Sequence, residues 1–144
     1  MIRIERLSNG TVVNTTPEMQ ALVSKVNNDK GHEFTINIKK LYENLSLGYL
    51  YVDSEVEIMP GKPLNSAKQL GDIDVLLINK NTKQIVCIEA KNFSESRTVY
   101  ELIQQNRKIV TKELSHVIER DVWCKGNIDK FKFYVPEIDE QYSV

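Results

Sequence analysis

Two apolar stretches in the middle of the chain carry charges that such stretches rarely tolerate. They are Gly71-Asp72-Ile73-Asp74-Val75-Leu76-Leu77-Ile78 and Ile85-Val86-Cys87-Ile88-Glu89-Ala90-Lys91. Charge buried in runs like these is costly unless it is paired or bound to a metal. Side chains two apart on a strand share a face. Asp72 therefore goes with Asp74, and Glu89 with Lys91. A register that joins the two faces would bring three carboxylates and one ammonium together. Carboxylates that close need a cation to stay ionised, and oxygen donors suit a hard divalent ion: magnesium, with manganese as its substitute. Such an ion polarises a phosphodiester and binds the attacking water. In this reading Asp74 and Glu89 hold the metal, and the backbone carbonyl of Ala90 adds a third oxygen. Asp72 and Glu33 are further candidate ligands. Lys91 stabilises transition-state charge or orients the water.

The elements that must position these groups follow from the spacing. Leu70 to Asn79 and Gln84 to Phe93 read as strands. The short polar link Lys80-Asn81-Thr82-Lys83 makes them an antiparallel hairpin. Both are apolar on both faces, so cover is expected on each side. Tyr49 to Ile58 reads as another strand, broken by Pro60-Gly61-Lys62-Pro63, with an exposed loop onward to about Gln69. Thr16-Pro17-Glu18 is a helix-start pattern, predicting a short helix to about Asn27 and then a polar turn. Phe34, Ile38, Leu41 and Leu45 predict an amphipathic helix from Gly31 to Leu47. Glu33 would lie in its first turn, where a carboxylate suits the helix dipole. Asn-Gly near the start, between short apolar runs, predicts a small hairpin.

A third helix is predicted from about Thr98 to Arg120, with Val99, Leu102, Ile103, Val110, Leu114, Val117 and Ile118 as its apolar stripe. Phe131, Phe133 and Val135 alternate with charges and predict a last strand, closed by Pro136. Residues 137–144 read as a frayed acidic tail. The fold class is therefore α/β, a mixed sheet covered by helices. Residues 31–136 form the core and 1–30 an N-terminal hairpin and short helix packed on it.

Composition narrows the function classes. The 144 residues suffice for one domain, with 41% hydrophobic and 27% charged residues. No apolar run approaches the roughly 20 residues of a membrane span, and the start does not resemble a signal peptide. Cys87 and Cys124 give neither a disulfide framework nor a zinc spacing. Cys87 reads as a plain buried thiol, and a reducing, cytoplasmic location follows. Net charge is −1, which gives no overall attraction to nucleic acid. Yet Lys91 to Lys132 holds nine basic and six acidic residues, so this segment is locally basic. Tyr100, Gln104 and Arg107 fall there at helical spacing and are candidates for lining a DNA channel.

The composite Gly-Asp-x-Asp followed by Glu-x-Lys resembles the PD-(D/E)xK nuclease superfamily, the restriction-endonuclease-like fold. Gly31-His32-Glu33-Phe34, Gly71-Asp72-Ile73-Asp74 and Ile88-Glu89-Ala90-Lys91-Asn92 are closest in pattern to Mrr-type restriction enzymes and the nuclease-related NERD domains. The resemblance spans about residues 31 to 135. It implies a central mixed sheet flanked by helices. It also implies a magnesium-dependent (endo)deoxyribonuclease acting in restriction, phage defence or repair, with Asp74, Glu89, Lys91 and Glu33 catalytic. Ile73 stands where the superfamily's name has proline, and no Gln-x-x-x-Tyr follows Lys91. DNA is the expected partner, with RNA the other candidate polymer and no membrane. The chain leaves little room for target recognition, which implies a homodimer or a place in a larger nuclease assembly. The alternative is a catalytically inactive module of the same fold, used for nucleic-acid binding or assembly.

Overall fold

The computed structural model of the protein describes residues 16–92 and 98–144. The hairpin expected near the N-terminus lies outside the described residues, and so does Phe93. The strand expected to run from Gln84 to Phe93 ends at Ile88, and Glu89 to Asn92 leave it as irregular chain. Among the described residues the protein is α/β. Three antiparallel strands, β1 (Leu50–Ile58), β2 (Gly71–Asn79) and β3 (Gln84–Ile88), form a sheet in the order β1-β2-β3. The predicted hairpin is present, with Leu76 paired to Cys87 and Val75 to Ile88. The expected mixed sheet is instead antiparallel in its named strands. The only parallel pairings among the described residues are two isolated bridges, Ile58 with Leu64 and Gln84 with Ser143.

Helix α1 (Pro17–Glu43) precedes the sheet as one 27-residue element. Thr16 caps it, accepting from the Met19 amide, and proline stands in its first turn. The turn expected at residues 27–30 does not form. Polar residues are compatible with an exposed helical face, and Gly31 interrupts nothing, because a helix tolerates one glycine at a cost of about 1 kcal/mol. The helix ends at Glu43, with Asn44 as its C-cap, short of the expected Leu47.

After the sheet come α2 (Val99–Lys108), a π-helical turn at Ile109–Glu113, and α3 (Leu114–Lys125). In the π turn the Leu114 amide reaches back to the Ile109 carbonyl. The extra residue re-phases the chain. Helix α2 has no buried residue, whereas α3 lies on the sheet with Cys124 fully buried. The stripe expected to face the core is therefore largely exposed: Val99, Leu102, Ile103, Val110, Leu114 and Ile118 all stand open.

The expected strand at Lys130 to Val135 is a 3-10 helix, Ile128–Phe133. Phe131 is fully buried while Phe133 is 68% exposed, so the two do not share a face. The buried positions Phe131, Val135, Ile138 and Tyr142 recur at steps of four, three and four. That is a turning period, which the alternation of charge and aromatics concealed. The C-terminal segment is docked rather than frayed. The Ile85 amide donates to the Ser143 carbonyl at 2.8 Å, and Lys83 Nζ meets Asp139 Oδ2 at 2.8 Å. The loop after β1 is likewise anchored, by fully buried Leu64. These segments and the sheet share one core around Ile58, Leu76, Ile78, Ile85, Cys124 and Phe131.

Candidate functional site

The sheet register places the charged residues at one end of the β2–β3 pair. Pairing ends at Val75 with Ile88; Asp74 is the next residue on β2, and Glu89 is the first residue after β3. Asp74 is half-buried. Its Oδ2 accepts the Ala90 backbone N–H at 2.6 Å, which ties the carboxylate to the end of β3. Burial, with the charges of Glu89 and Asp72 adding to it, pushes the Asp74 carboxyl above its usual range. The Ala90 hydrogen bond and Lys91 oppose that rise without cancelling it.

Glu89 is held from two directions. Lys91 Nζ lies 2.6 Å from its Oε1, and Arg120 donates through Nη2 to its Oε2. Burial works against the charge on Lys91, but the hydrogen bond and charge of Glu89, helped by Glu113 and Asp74, raise its pKa above the ordinary lysine value. Lys91 is therefore a firm cation. Glu113 Oε2 approaches it at 3.5 Å from the end of the π turn. Arg120, with its side chain only 11% exposed, also donates through Nη1 to the Asp72 carbonyl, so one guanidinium spans β2 and the end of β3.

Arg120 and Glu113 were not among the residues singled out from the sequence. Their signal was faint: both fall on the Val117 side of the helical path, Glu113 four residues before it and Arg120 three after it. A charge on the sheet-facing side of an amphipathic helix is the anomaly that marks them.

The other expected residues sit differently. Glu33 is not in a first helical turn but deep within α1, exposed, with no hydrogen bond or ion pair to the cluster among the described residues. The helix dipole has faded by that point. Its neighbour His32 does reach the sheet, pairing with Glu55 on β1. Glu55 lies between the Ser54–Val75 and Val56–Ile73 pairs, alongside Asp74, and has a φ of 54°. A left-handed non-glycine residue inside a strand stores backbone strain. The side chain of Asp72 faces solvent, and its carbonyl is the group that joins the cluster. Ala90 takes part through its N–H. Tyr100, Gln104 and Arg107 lie exposed on α2.

Gly71 explains the first residue of its motif. Its φ is 88°, a conformation that costs an L-residue about 1–2 kcal/mol. A Cβ there would meet Arg120 Nη1 at 3.9 Å, an ordinary contact. Gly71→Ala is therefore expected to lower stability by about 1–2 kcal/mol through the backbone alone, read as a shifted urea midpoint at constant slope. A neutral result would contradict this account of the glycine.

The raised Asp74 carboxyl also has a sign that can be tested. The folded protein binds this proton more tightly than the unfolded chain, whose carboxyl keeps its ordinary value of 3.8. The ionised group therefore weakens the fold above its folded pKa, and the penalty fades as pH falls through that value. Asp74→Asn keeps an acceptor for the Ala90 amide. Without divalent cation it should raise the melting temperature near about pH 7, with a gain that shrinks toward about pH 4. A lower melting temperature at neutral pH would contradict it.

No family model matches the chain, and no curated protein or solved structure is significantly similar to it. The functional reading therefore rests on the site itself.

Proposed function

We propose that the protein is a metal-dependent nuclease hydrolysing phosphodiester bonds of DNA, with a core of the PD-(D/E)xK type. The observation that carries the reading is the meeting of Asp74, Glu89 and Lys91 at one end of a hairpin, each fixed by a named partner. The donor set fits a hard cation. Asp74 Oδ1 makes no hydrogen bond among the described residues, and Glu89 adds a second carboxylate. Magnesium commonly takes one or two carboxylates and keeps several waters. No group of three or more His, Cys, Asp or Glu placed to hold a metal occurs among the described residues, so the expected convergence of three carboxylates is not met and the reading rests on Asp74 and Glu89 alone.

Asp74 and Glu89 would hold Mg2+, or Mn2+ in its place, and the ion would supply a Lewis acid for the phosphate and a more acidic water. Lys91 provides a fixed positive charge for the phosphate oxygens as negative charge builds on them. Arg120 holds Glu89 in orientation and adds a second positive charge. Glu113 steadies the Lys91 ammonium. Glu33 stays a candidate only by its nearness to His32, and Tyr100, Gln104 and Arg107 offer an exposed polar row for a DNA backbone. The open apolar residues of α2 and α3 support work as a homodimer or within a larger nuclease assembly. No described helix is long and apolar enough to cross a membrane.

One observation favours the second reading, a catalytically inactive module. Both Glu89 oxygens are already engaged by cations, so the network is neutralised without a metal. Incubation with supercoiled plasmid, linear single-stranded DNA and RNA, each with magnesium, manganese or chelator, separates the two. The nuclease reading expects DNA cleavage only with the metals. Cleavage that survives chelator would overturn the metal role, and intact DNA throughout would leave the inactive module.

A further inference from the structure

The two cysteines, 37 residues apart in sequence, meet in the fold: Cys87 Sγ on β3 and Cys124 Sγ on α3 are 4.0 Å apart and share a hydrogen bond. Both are free thiols. Cys124 is sealed in the core, while Cys87 is only partly covered and lines an open cavity of about 390 Å³ between β3 and α3. Glu89, Arg120 and Asp121 line the same cavity. A small polar oxidant therefore has a path to Cys87, and the thiol behind it is within reach of a second step.

We propose that Cys87 and Cys124 form a peroxide-modified thiol pair, Cys87 being attacked first and Cys124 resolving it. In the first step Cys87 sulfur attacks the peroxide. An S–O bond forms, the O–O bond breaks, and the departing hydroxide takes a proton and leaves as water. In the second, Cys124 sulfur attacks Cys87 sulfur. An S–S bond forms, the S–O bond breaks, and a second water leaves. Two thiols lose two electrons and two protons, and one peroxide becomes two waters. The sulfurs must close from 4.0 Å to about 2.05 Å, a movement of side-chain rotation between two packed elements. The product staples β3, which leads into Glu89, to α3, which carries Arg120.

The test uses the full chain, reduced and then exposed to one equivalent of hydrogen peroxide before alkylation. The expected result is a monomer lighter by two hydrogens, no alkylation at either cysteine, and one linked peptide joining Cys87 to Cys124. Thiol reductant restores both alkylation sites. Cys87→Ser should stop all modification. Cys124→Ser should leave Cys87 carrying one added oxygen. Two freely alkylated cysteines after peroxide would overturn the proposal, as would linkage between molecules or oxygen addition at Cys87 in the unsubstituted chain without linkage. The reading of the unsubstituted chain does not depend on how the variants fold, nor on whether the protein cleaves DNA.

Discussion

Lys91→Ala is expected to lower magnesium-dependent cleavage of plasmid DNA by about 100- to 1000-fold, the usual loss when one fixed stabiliser of transition-state charge is removed. The side chain is 40% exposed, so its loss leaves no void in the core, and the variant should stay folded. Its partners explain why lysine suits this place. Glu89, Glu113 and Asp74 together keep the ammonium charged despite partial burial, so activity should not fall from lysine deprotonation until well above neutral pH. Glu89→Gln and Asp74→Asn are expected to be at least as damaging, because each removes half of the carboxylate pair on which cation binding depends. The check is the initial nicking rate of each variant beside the unsubstituted protein, with circular dichroism confirming the fold. Equal rates in Lys91→Ala and the unsubstituted protein would remove Lys91 from the mechanism.

Arg120→Ala is expected to be the costliest of the site substitutions for stability, by about 2–3 kcal/mol. Breaking a fully buried ion pair costs about 3–5 kcal/mol. The partial exposure of Arg120 and Glu89, 11% and 17% at their side chains, brings the figure down. The substitution also strips a donor from the Asp72 carbonyl. A cycle with Glu89→Gln isolates the pair: with the carboxylate gone, Arg120→Ala should cost at least about 1 kcal/mol less. Arg120→Lys keeps the charge but loses the two-armed reach across β2 and the end of β3, and should fall between. Urea midpoints measure all five proteins, the four of the cycle and Arg120→Lys. Additive losses in the cycle would show that the Arg120–Glu89 contact contributes nothing of its own.

Much of the sheet was legible because strand signals are local. The apolar runs, the Lys80 to Lys83 link and the Pro60-Gly61 break marked β1, β2 and the start of β3 nearly to the residue, but β3 ends at Ile88 instead of running to Phe93, so Glu89 and Lys91 follow the strand and do not share its face. What failed depends on contacts between distant segments. Phe131 to Tyr142 is shaped by docking against the sheet, with Ser143 bound to Ile85, and a charge alternation over six residues outweighed its three-and-four period. The break at Asn27 to Lys30 was inferred from polarity, yet a helix with an open face accommodates polar residues. Glu33 lost its place for the same reason, since the helix begins at Pro17 and not beside it. Arg120 was hidden by distance: it lies 31 residues beyond Glu89, and nothing local announces that a π turn will aim it at the carboxylate.

Supercoiled plasmid incubated with the unsubstituted protein and with Glu89→Gln, each in magnesium and in chelator, tests the central claim most directly. A cation-dependent phosphodiester site at Asp74, Glu89 and Lys91 predicts nicked or linear DNA in one condition alone, the unsubstituted protein with magnesium. Equal cleavage by Glu89→Gln, cleavage in chelator, or intact plasmid in every condition would contradict it.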